Sequence, residues 1–235
     1  KPYEKNVTLV HSNFCEIAQV LRDLDIPGVD GILLDLGVSS PQLDDGERGF
    51  SYMADAPLDM RMNGEDSLTA YDVVNSWEQG ELKRILYDYG EERYAPRIAS
   101  AICSRRETKP IETTNELSEI IKSGIPAKNK IDGPHPAKRT FQAIRIEVNG
   151  ELNIIADTIN NFFPLLNSNG RMAIITFHSL EDRIVKNAFR ELTTSCICPP
   201  KTPICICGHK ASGILVNRKP ITIPMITMFS ILCNP

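Results

Sequence analysis

The sequence predicts an α/β fold whose sheet-forming parts are separated by a block of helices. Two short apolar runs, Ile32–Leu34 after Gly31 and Met172–Ile175, each lead into polar residues. Such runs are typical of strands that are buried on both faces of a parallel sheet. Between them, from residue 67 to residue 126, apolar residues recur only with helical spacing. This pattern favours a helical subdomain inserted into an α/β domain.

The expected domain boundaries follow from this change of pattern. We expect the α/β domain to comprise residues 1–47 and 135–235, and the helical insert to comprise residues 48–134. In the first part, Val7–Val10 is predicted to be a strand, and Glu16–Leu24 a helix with its apolar residues on one face. The remaining predicted elements are helices at Leu68–Ser76, Gln79–Tyr89, Ala95–Arg106, Thr113–Lys122, Ala137–Val148, Glu151–Leu166 and Leu180–Leu192, and a strand at Arg171–Phe177.

Three candidate ligand-binding residues directly follow predicted strands. Phe14 follows the first strand, Asp35 ends the second, and His178 follows the third. Ligands of open α/β sheets bind outside the carboxyl ends of the strands, so we expect all three residues at one edge. Each also has a structural alternative: Phe14 as a core residue, Asp35 as a turn or helix-capping residue, and His178 as a hydrogen-bonded structural group.

Composition restricts the class of protein. Of 235 residues, 42% are hydrophobic and 24% charged, as in ordinary globular proteins. No run of about 18 apolar residues predicts a transmembrane helix, and no signal peptide is recognisable. We therefore expect a cytoplasmic protein without membrane contact. The net charge of −4 gives no overall attraction to nucleic acid, but residues 128–145 and 171–219 are rich in Lys and Arg.

The cysteines indicate a reducing compartment. Seven are present, and an odd number without a signal peptide does not favour a disulfide framework. Four of them form two Cys-x-Cys pairs, Cys196 with Cys198 and Cys205 with Cys207. This spacing differs from the Cys-x-x-Cys of common zinc knuckles, and we expect the two thiols of each pair to point to opposite faces of an extended segment. We therefore expect no structural metal.

Four stretches of the chain resemble the bacterial methyltransferases that modify the exocyclic N4 of a cytosine in 16S ribosomal RNA, the MraW or RsmH family. They occur in the family's order. The stretches are VTLVHSNF at Val7–Phe14, DGILLDLGVSSPQLDDGERGF with PLDMRM at residues 30–62, HPAKRTFQAIRIEVNGEL at His135–Leu152, and ITFHSLEDRIVK at Ile175–Lys186. The resemblance implies a Rossmann-like fold with a helical insert, S-adenosyl-L-methionine as cofactor, and a decoding-centre cytosine of the small ribosomal subunit as target.

The resemblance also implies roles for individual residues. Phe14 would contact the adenine of S-adenosylmethionine, and Asp35 and Gln42 would hold the cofactor. Ser39 and Ser40, together with Asp35, would face the cytosine amine. Amino-methyltransferases use an Asp/Asn/Ser-Pro-Pro-aromatic motif at this place, whereas this chain has Ser40 followed by Pro and Gln42, so the broad motif is matched only in part.

A helix face supplies the candidate RNA contacts. Arg139, Gln142 and Arg145 lie about one turn apart on a predicted helix. Arginine suits bidentate phosphate binding, although surface arginines on helices are commonly only solvated. With the resemblance, we expect Arg139, Arg145 and His178 to contact the substrate.

The chemistry of such a site requires no metal and no covalent intermediate. The lone pair of an exocyclic amine is delocalised into the ring, so the protein must align the amine with the methyl group and exclude water. Hydrogen-bond acceptors for the amino protons would help to localise the lone pair and to stabilise the developing charge.

The chain departs from the family pattern at its start. The family begins with a strand and a Gly-rich turn around the methionine end of the cofactor, and this chain begins where the third strand is expected. We therefore expect a fragment or a shortened gene product. Two alternatives follow: a non-catalytic remnant that binds RNA without cofactor, and an enzyme of the same chemistry acting on DNA.

Overall fold

The protein folds into two compact units, Lys1–Gly37 with Leu152–Pro235, and Val38–Glu151. The computed structural model describes residues 6–39, 41–42, 45–126, 135–199, 202, 204–217, 219–223 and 226–234. We refer to the first as the sheet unit and to the second as the helical unit. Their boundaries differ from the expected divisions after residues 47 and 134, since the helical unit begins earlier and continues through Glu151.

The sheet unit is built on five strands. They are β1 (Val29–Asp35), β2 (Leu166–Thr176), β3 (Gly213–Leu215), β4 (Ile221–Ile223) and β5 (Ile226–Cys233). The order is β1-β2-β5-β3, and β4 also pairs with β5. The pair β1/β2 is parallel, whereas β5 runs antiparallel to β2. The apolar runs predict β1 and β2, whereas β5 is a strand that the sequence patterns did not predict.

Three helices pack in the sheet unit: α1 (Ile17–Asp23), α7 (Ile155–Phe162) and α8 (Ser179–Thr193). Alternate side chains of the strands and one face of the helices form a single apolar core. Its most buried members are Ile159, Phe162, Met172, Ile174, Val185, Phe189 and Ile231. Burial of each such side chain contributes about 1.5–3 kcal/mol relative to exposure, so this core holds α8 against the sheet.

The prediction of a strand at Val7–Val10 is wrong. These residues have no regular secondary structure, and Leu9 is 91% exposed. Among the described strands, β1 pairs only with β2. A strand needs backbone hydrogen-bond partners on a neighbouring strand, and within the described part of the sheet unit none is paired with this segment. An apolar pattern alone could not reveal this.

The helical unit contains α2 (Ala70–Ser76), α3 (Gln79–Asp88), α4 (Ala95–Arg106), α5 (Thr114–Gly124) and α6 (Lys138–Asn149). Its described residues form no strand, and the predicted helices are confirmed to within about two residues. Local signals explain this accuracy. Thr69 and Asp72 form a capping box at the start of α2, and the Thr113 side chain accepts from the backbone N–H of Glu116 at the start of α5.

Helix α6 lies in the helical unit because of its apolar face. Phe141, Ala143, Ile144 and Val148 are part of the same buried cluster as Ile85, Ile98 and Leu117. The expected boundary at residue 134 would assign this helix to the α/β domain, and its packing shows that it belongs to the helical unit. Throughout the part of the chain that the structure describes, no helix combines the length and apolarity needed to cross a membrane.

Candidate active site

The carboxyl end of β1 presents an exposed carboxylate. Asp35 lies opposite Ile175 in the parallel register with β2, and the next residue, Leu36, donates its N–H to the Ile175 carbonyl at 3.2 Å. The Asp35 side chain is exposed. Among the residues that the structure describes, no hydrogen bond or ion pair holds it. The carboxylate is therefore available to a ligand at the edge where α/β proteins bind one.

Gly37 turns the chain beside the end of β2. Its φ of +87° lies in the left-handed region, which favours glycine. A Cβ at this position would lie 3.5 Å from the Phe177 ring and 3.8 Å from Glu181 Oε1. Two residues beyond Asp35, the backbone thus passes close to the residues that follow β2.

A buried carboxylate organises the end of β2. Glu181 is 1% exposed, and its Oε2 accepts hydrogen bonds from the backbone N–H groups of Phe177 at 2.8 Å and His178 at 3.3 Å. Burial alone would raise the pKa of Glu181, but the hydrogen bonds from His178 and from these backbone N–H groups hold it below its ordinary value. The folded state therefore favours the anionic form of Glu181 at the carboxyl edge.

His178 lies where we expected it, in the turn that follows β2. Its side chain is 10% exposed, with Nε2 at 3.2 Å from Glu181 Oε1, and Nδ1 accepts from the Glu181 N–H at 3.5 Å. The Nδ1 contact, together with the bond from the His178 N–H to Glu181 Oε2, forms a capping box at the start of α8. The imidazole therefore has a structural role at the start of α8, and the substrate contact expected of His178 stays a prediction.

Sequence reasoning missed two residues at this edge. Glu181 stands three residues after His178, the spacing of a capping box, but its burial could not be read from that spacing. Phe177 is 46% exposed and leaves β2 beside Gly37. It lines an open pocket of about 240 Å³ together with His178, Ser179, Asp182, Thr222, Ile226 and Thr227. An exposed aromatic ring next to a pocket offers a stacking surface for a planar base.

Phe14 occupies the start of the short 3₁₀ turn before α1. The Asn13 side chain caps this turn by accepting from the backbone N–H of Cys15, and Phe14 is 37% exposed. Its ring is not part of the apolar core of the sheet unit. Phe14 is therefore not a buried core residue, and its expected contact with the adenine and its alternative role of capping the core both stay open.

Ser39 and Gln42 contact each other in the helical unit. Gln42 Oε1 accepts from the Ser39 backbone N–H at 2.8 Å and from the Ser39 hydroxyl at 3.1 Å. The structure thus brings together a residue expected to face the amine and one expected to hold the cofactor. Ser40 lies outside the described residues.

The two arginines of α6 have different surroundings. Arg139 is exposed and donates to the Glu91 carbonyl at 3.0 Å. Arg145 makes a bidentate pair with Glu151, at 2.9 Å from Nε and 3.0 Å from Nη2, with side-chain exposures of 16% and 8%. A guanidinium that is held by a buried carboxylate stabilises the fold. Arg139 is thus exposed, whereas two nitrogens of Arg145 are already engaged, and the substrate contacts expected of both residues stay predictions.

Comparison with known proteins identifies a family whose profile matches this chain and several similar proteins. The profile of the MraW methylase family matches residues 1–226. The chain is 55% identical over 219 residues to a protein of Brevibacillus brevis and 56% identical over 219 residues to one of Clostridioides difficile, covering 93% of this chain and 70% of each relative. It is 58% identical over 221 residues to a protein of Clostridium botulinum, covering 94% of this chain and 71% of the relative.

All three relatives are named ribosomal RNA small subunit methyltransferase H. The family match extends over the residues of both units, including Asp35, Gly37 and Glu181. The chain therefore belongs to the MraW methylase family, a family of Rossmann-like methyltransferases.

Proposed function

We propose that this protein transfers a methyl group from S-adenosylmethionine to the exocyclic N4 of a cytosine in 16S ribosomal RNA. The observation that carries the proposal is the exposed Asp35 carboxylate at the end of β1. The names of the relatives support an RNA of the small ribosomal subunit as substrate, and the resemblance to the family supports a decoding-centre cytosine. Such an enzyme acts in the cytoplasm.

The sheet unit suits the methyl donor. S-adenosylmethionine supplies an activated methyl group on a sulfonium. The Asp35 carboxylate can accept hydrogen bonds from the donor's polar groups, and the exposed Phe14 ring can stack on its adenine. We assign Gln42 to the same task by resemblance. Gln42 Oε1 already accepts a hydrogen bond from Ser39, and this contact limits its capacity to accept another from the cofactor.

The amine needs alignment more than activation. The amine lone pair forms the new carbon–nitrogen bond while the carbon–sulfur bond breaks, leaving its electron pair on sulfur as a neutral thioether. One amine proton then leaves to solvent. We assign the acceptors or positioning groups for the amino protons to Asp35, Ser39 and Ser40. Holding these protons orients the nitrogen lone pair toward the methyl group.

The RNA requires a stacking surface and phosphate contacts. Phe177 is exposed at the end of β2 and is suited to stack on an unpaired base. Arg139 is exposed on α6 and is suited to contact a phosphate. The alternative of a non-catalytic RNA-binding remnant is not favoured, because relatives with 55–58% identity are named methyltransferases.

The experiment is transfer of tritiated methyl groups to small ribosomal subunits that lack this modification, followed by mass spectrometry of the nucleosides. Asp35→Asn is compared with Asp30→Asn, a matched control at the other end of β1, where Asp30 accepts from the Asn167 amide at 2.8 Å. We expect N4-methylcytidine from the unmodified protein, and a loss of about 10²-fold or more in kcat/KM for Asp35→Asn only.

Two results would overturn the proposal. One is methylation of another atom, or of DNA in preference to ribosomal RNA. The other is equal activity of Asp35→Asn and Asp30→Asn, which would show that the carboxylate at the end of β1 does not serve the reaction. Titration of the same variants with S-adenosylmethionine separates a binding defect from a defect in transfer.

A further inference from the structure

Four cysteine sulfurs converge after α8. The Sγ atoms of Cys196, Cys198, Cys205 and Cys207 all lie within 4.8 Å of one another. The distances are 3.4 Å between Cys205 and Cys207, 3.5 Å between Cys196 and Cys205, and 3.9 Å for both Cys198–Cys205 and Cys196–Cys207. All four residues are free thiols.

These separations match the ligand set of a tetrahedral metal site. Zinc–thiolate bonds of about 2.3 Å in a tetrahedron place the sulfurs roughly 3.8 Å apart. A disulfide requires about 2.05 Å, much shorter than any of these distances. Four sulfur ligands fill the coordination sphere of zinc and leave no open position, which is typical of structural sites and not of catalytic ones.

The backbone explains how two Cys-x-Cys pairs produce this arrangement. In an extended segment, residues i and i+2 lie on the same side, so both thiols of a pair point one way. The residue between them points the other way, and Ile197 and Ile206 are indeed 65% and 85% exposed. The expectation that the two thiols of a pair point to opposite faces is wrong, and the structure shows that this tighter spacing also gathers four thiols.

The described part of the segment between α8 and β3 has little secondary structure or buried apolar surface that would order it. Its described residues between α8 and β3 form no helix or strand, and three isoleucines point outward, with Ile204 at 76% exposure. Near β3, the Ser212 N–H donates to the Leu192 carbonyl at 2.9 Å. A segment that buries so little apolar surface gains order chiefly from a metal or a disulfide.

We infer that Cys196, Cys198, Cys205 and Cys207 bind one structural Zn²⁺ ion that closes the segment between α8 and β3. Zinc is preferred because a closed tetrahedral set of four thiolates suits it and because the role requires no redox change. Binding converts free thiols to zinc-bound thiolates and releases their protons. This inference does not depend on the proposed methyl transfer.

The experiment measures metal content of the full chain, purified under reducing conditions without chelator and then supplied with Zn²⁺. We expect one Zn²⁺ per chain by elemental analysis and native mass spectrometry. Cys205→Ser should lose tight zinc binding. Cys103→Ser, which changes a partly buried thiol on α4, should keep the full content. Replacement with Co²⁺ should produce the absorption of a tetrahedral thiolate site.

A variant that retains a ligand separates metal binding from misfolding. Cys205→His keeps a donor for zinc, so we expect one metal ion per chain again, with a shifted Co²⁺ spectrum. Absence of zinc from the unmodified reduced protein, or equal zinc in Cys205→Ser, would overturn the inference. So would iron as the bound metal, or disulfides among these four cysteines in protein taken directly from cells.

Discussion

Glu181 Oε2 accepts a 2.8 Å hydrogen bond from the backbone N–H of Phe177, so a buried carboxylate on α8 holds the first residue after β2. The same oxygen accepts from the His178 N–H at 3.3 Å. This arrangement makes the carboxyl edge of β2 rigid and leaves the Phe177 ring exposed. We regard the Glu181 carboxylate as the structural anchor of the candidate active site.

Removal of this anchor should destabilise the sheet unit. Glu181→Ala removes the acceptor of the partly buried N–H groups of Phe177 and His178, which costs about 1–3 kcal/mol in the free energy of unfolding. Thermal unfolding monitored by circular dichroism checks this. Glu191→Ala, on an exposed position of the same helix, is the control. A midpoint unchanged from that of the control would refute the anchoring role.

The contribution of Glu181 should depend on pH. Its pKa in the folded protein lies below the ordinary value of 4.5, so the folded state favours the anion. The stabilisation is present above pH 4.5 and is lost as the pH falls through the lower folded-state pKa. We expect the difference in unfolding midpoint between the unmodified protein and Glu181→Gln to be constant near neutrality and to shrink in acid. A difference that grew on acidification would contradict this assignment.

The two arginines of α6 should separate stability from RNA binding. Arg145→Met removes the bidentate partner of the buried Glu151 carboxylate, and we expect a loss toward the lower end of roughly 3–5 kcal/mol because the pair is slightly exposed. Arg139→Met should change stability by less than about 0.5 kcal/mol. Arg139→Met should weaken RNA binding. It should also reduce the slope of log affinity against log salt concentration by about 1, as expected for the loss of one phosphate contact. Filter binding at several salt concentrations measures RNA affinity, and thermal unfolding measures stability. If Arg139→Met destabilised the protein and Arg145→Met weakened RNA binding instead, the two roles would have to be exchanged.

Gly37 should matter for activity beyond its effect on stability. Gly37→Ala and Gly150→Ala both force alanine into the left-handed region, at φ +87° and +60°, and each should cost about 1–2 kcal/mol. A Cβ at Gly37 faces the Phe177 ring, whereas one at Gly150 has no neighbour within 4 Å. We expect only Gly37→Ala to reduce methyl transfer in the folded protein. Equal activity of the two variants would exclude a close approach of the Gly37 backbone to the reactants.

Local sequence patterns were sufficient to predict the helices of the helical unit and the strands β1 and β2. Their signals are helical spacing of apolar residues, a capping threonine at residue 113, and apolar runs that lead into polar loops. The position of Asp35 at the end of β1 followed from the same reasoning. Its exposure and its lack of a described partner agree with the predicted ligand-binding role, which the proposed experiments test.

The pairing of residues that are distant along the chain became visible only in the folded protein. Packing placed α6 in the helical unit, left Val7–Val10 without a partner among the described strands, and joined Arg145 to Glu151. It also buried the Glu181 carboxylate and brought four cysteine sulfurs to within 4.8 Å of one another. Each of these outcomes depends on long-range contacts or on burial, which local patterns do not encode. The free energy of a buried charge or of a metal site depends on all the groups that surround it, and folding alone brings those groups together.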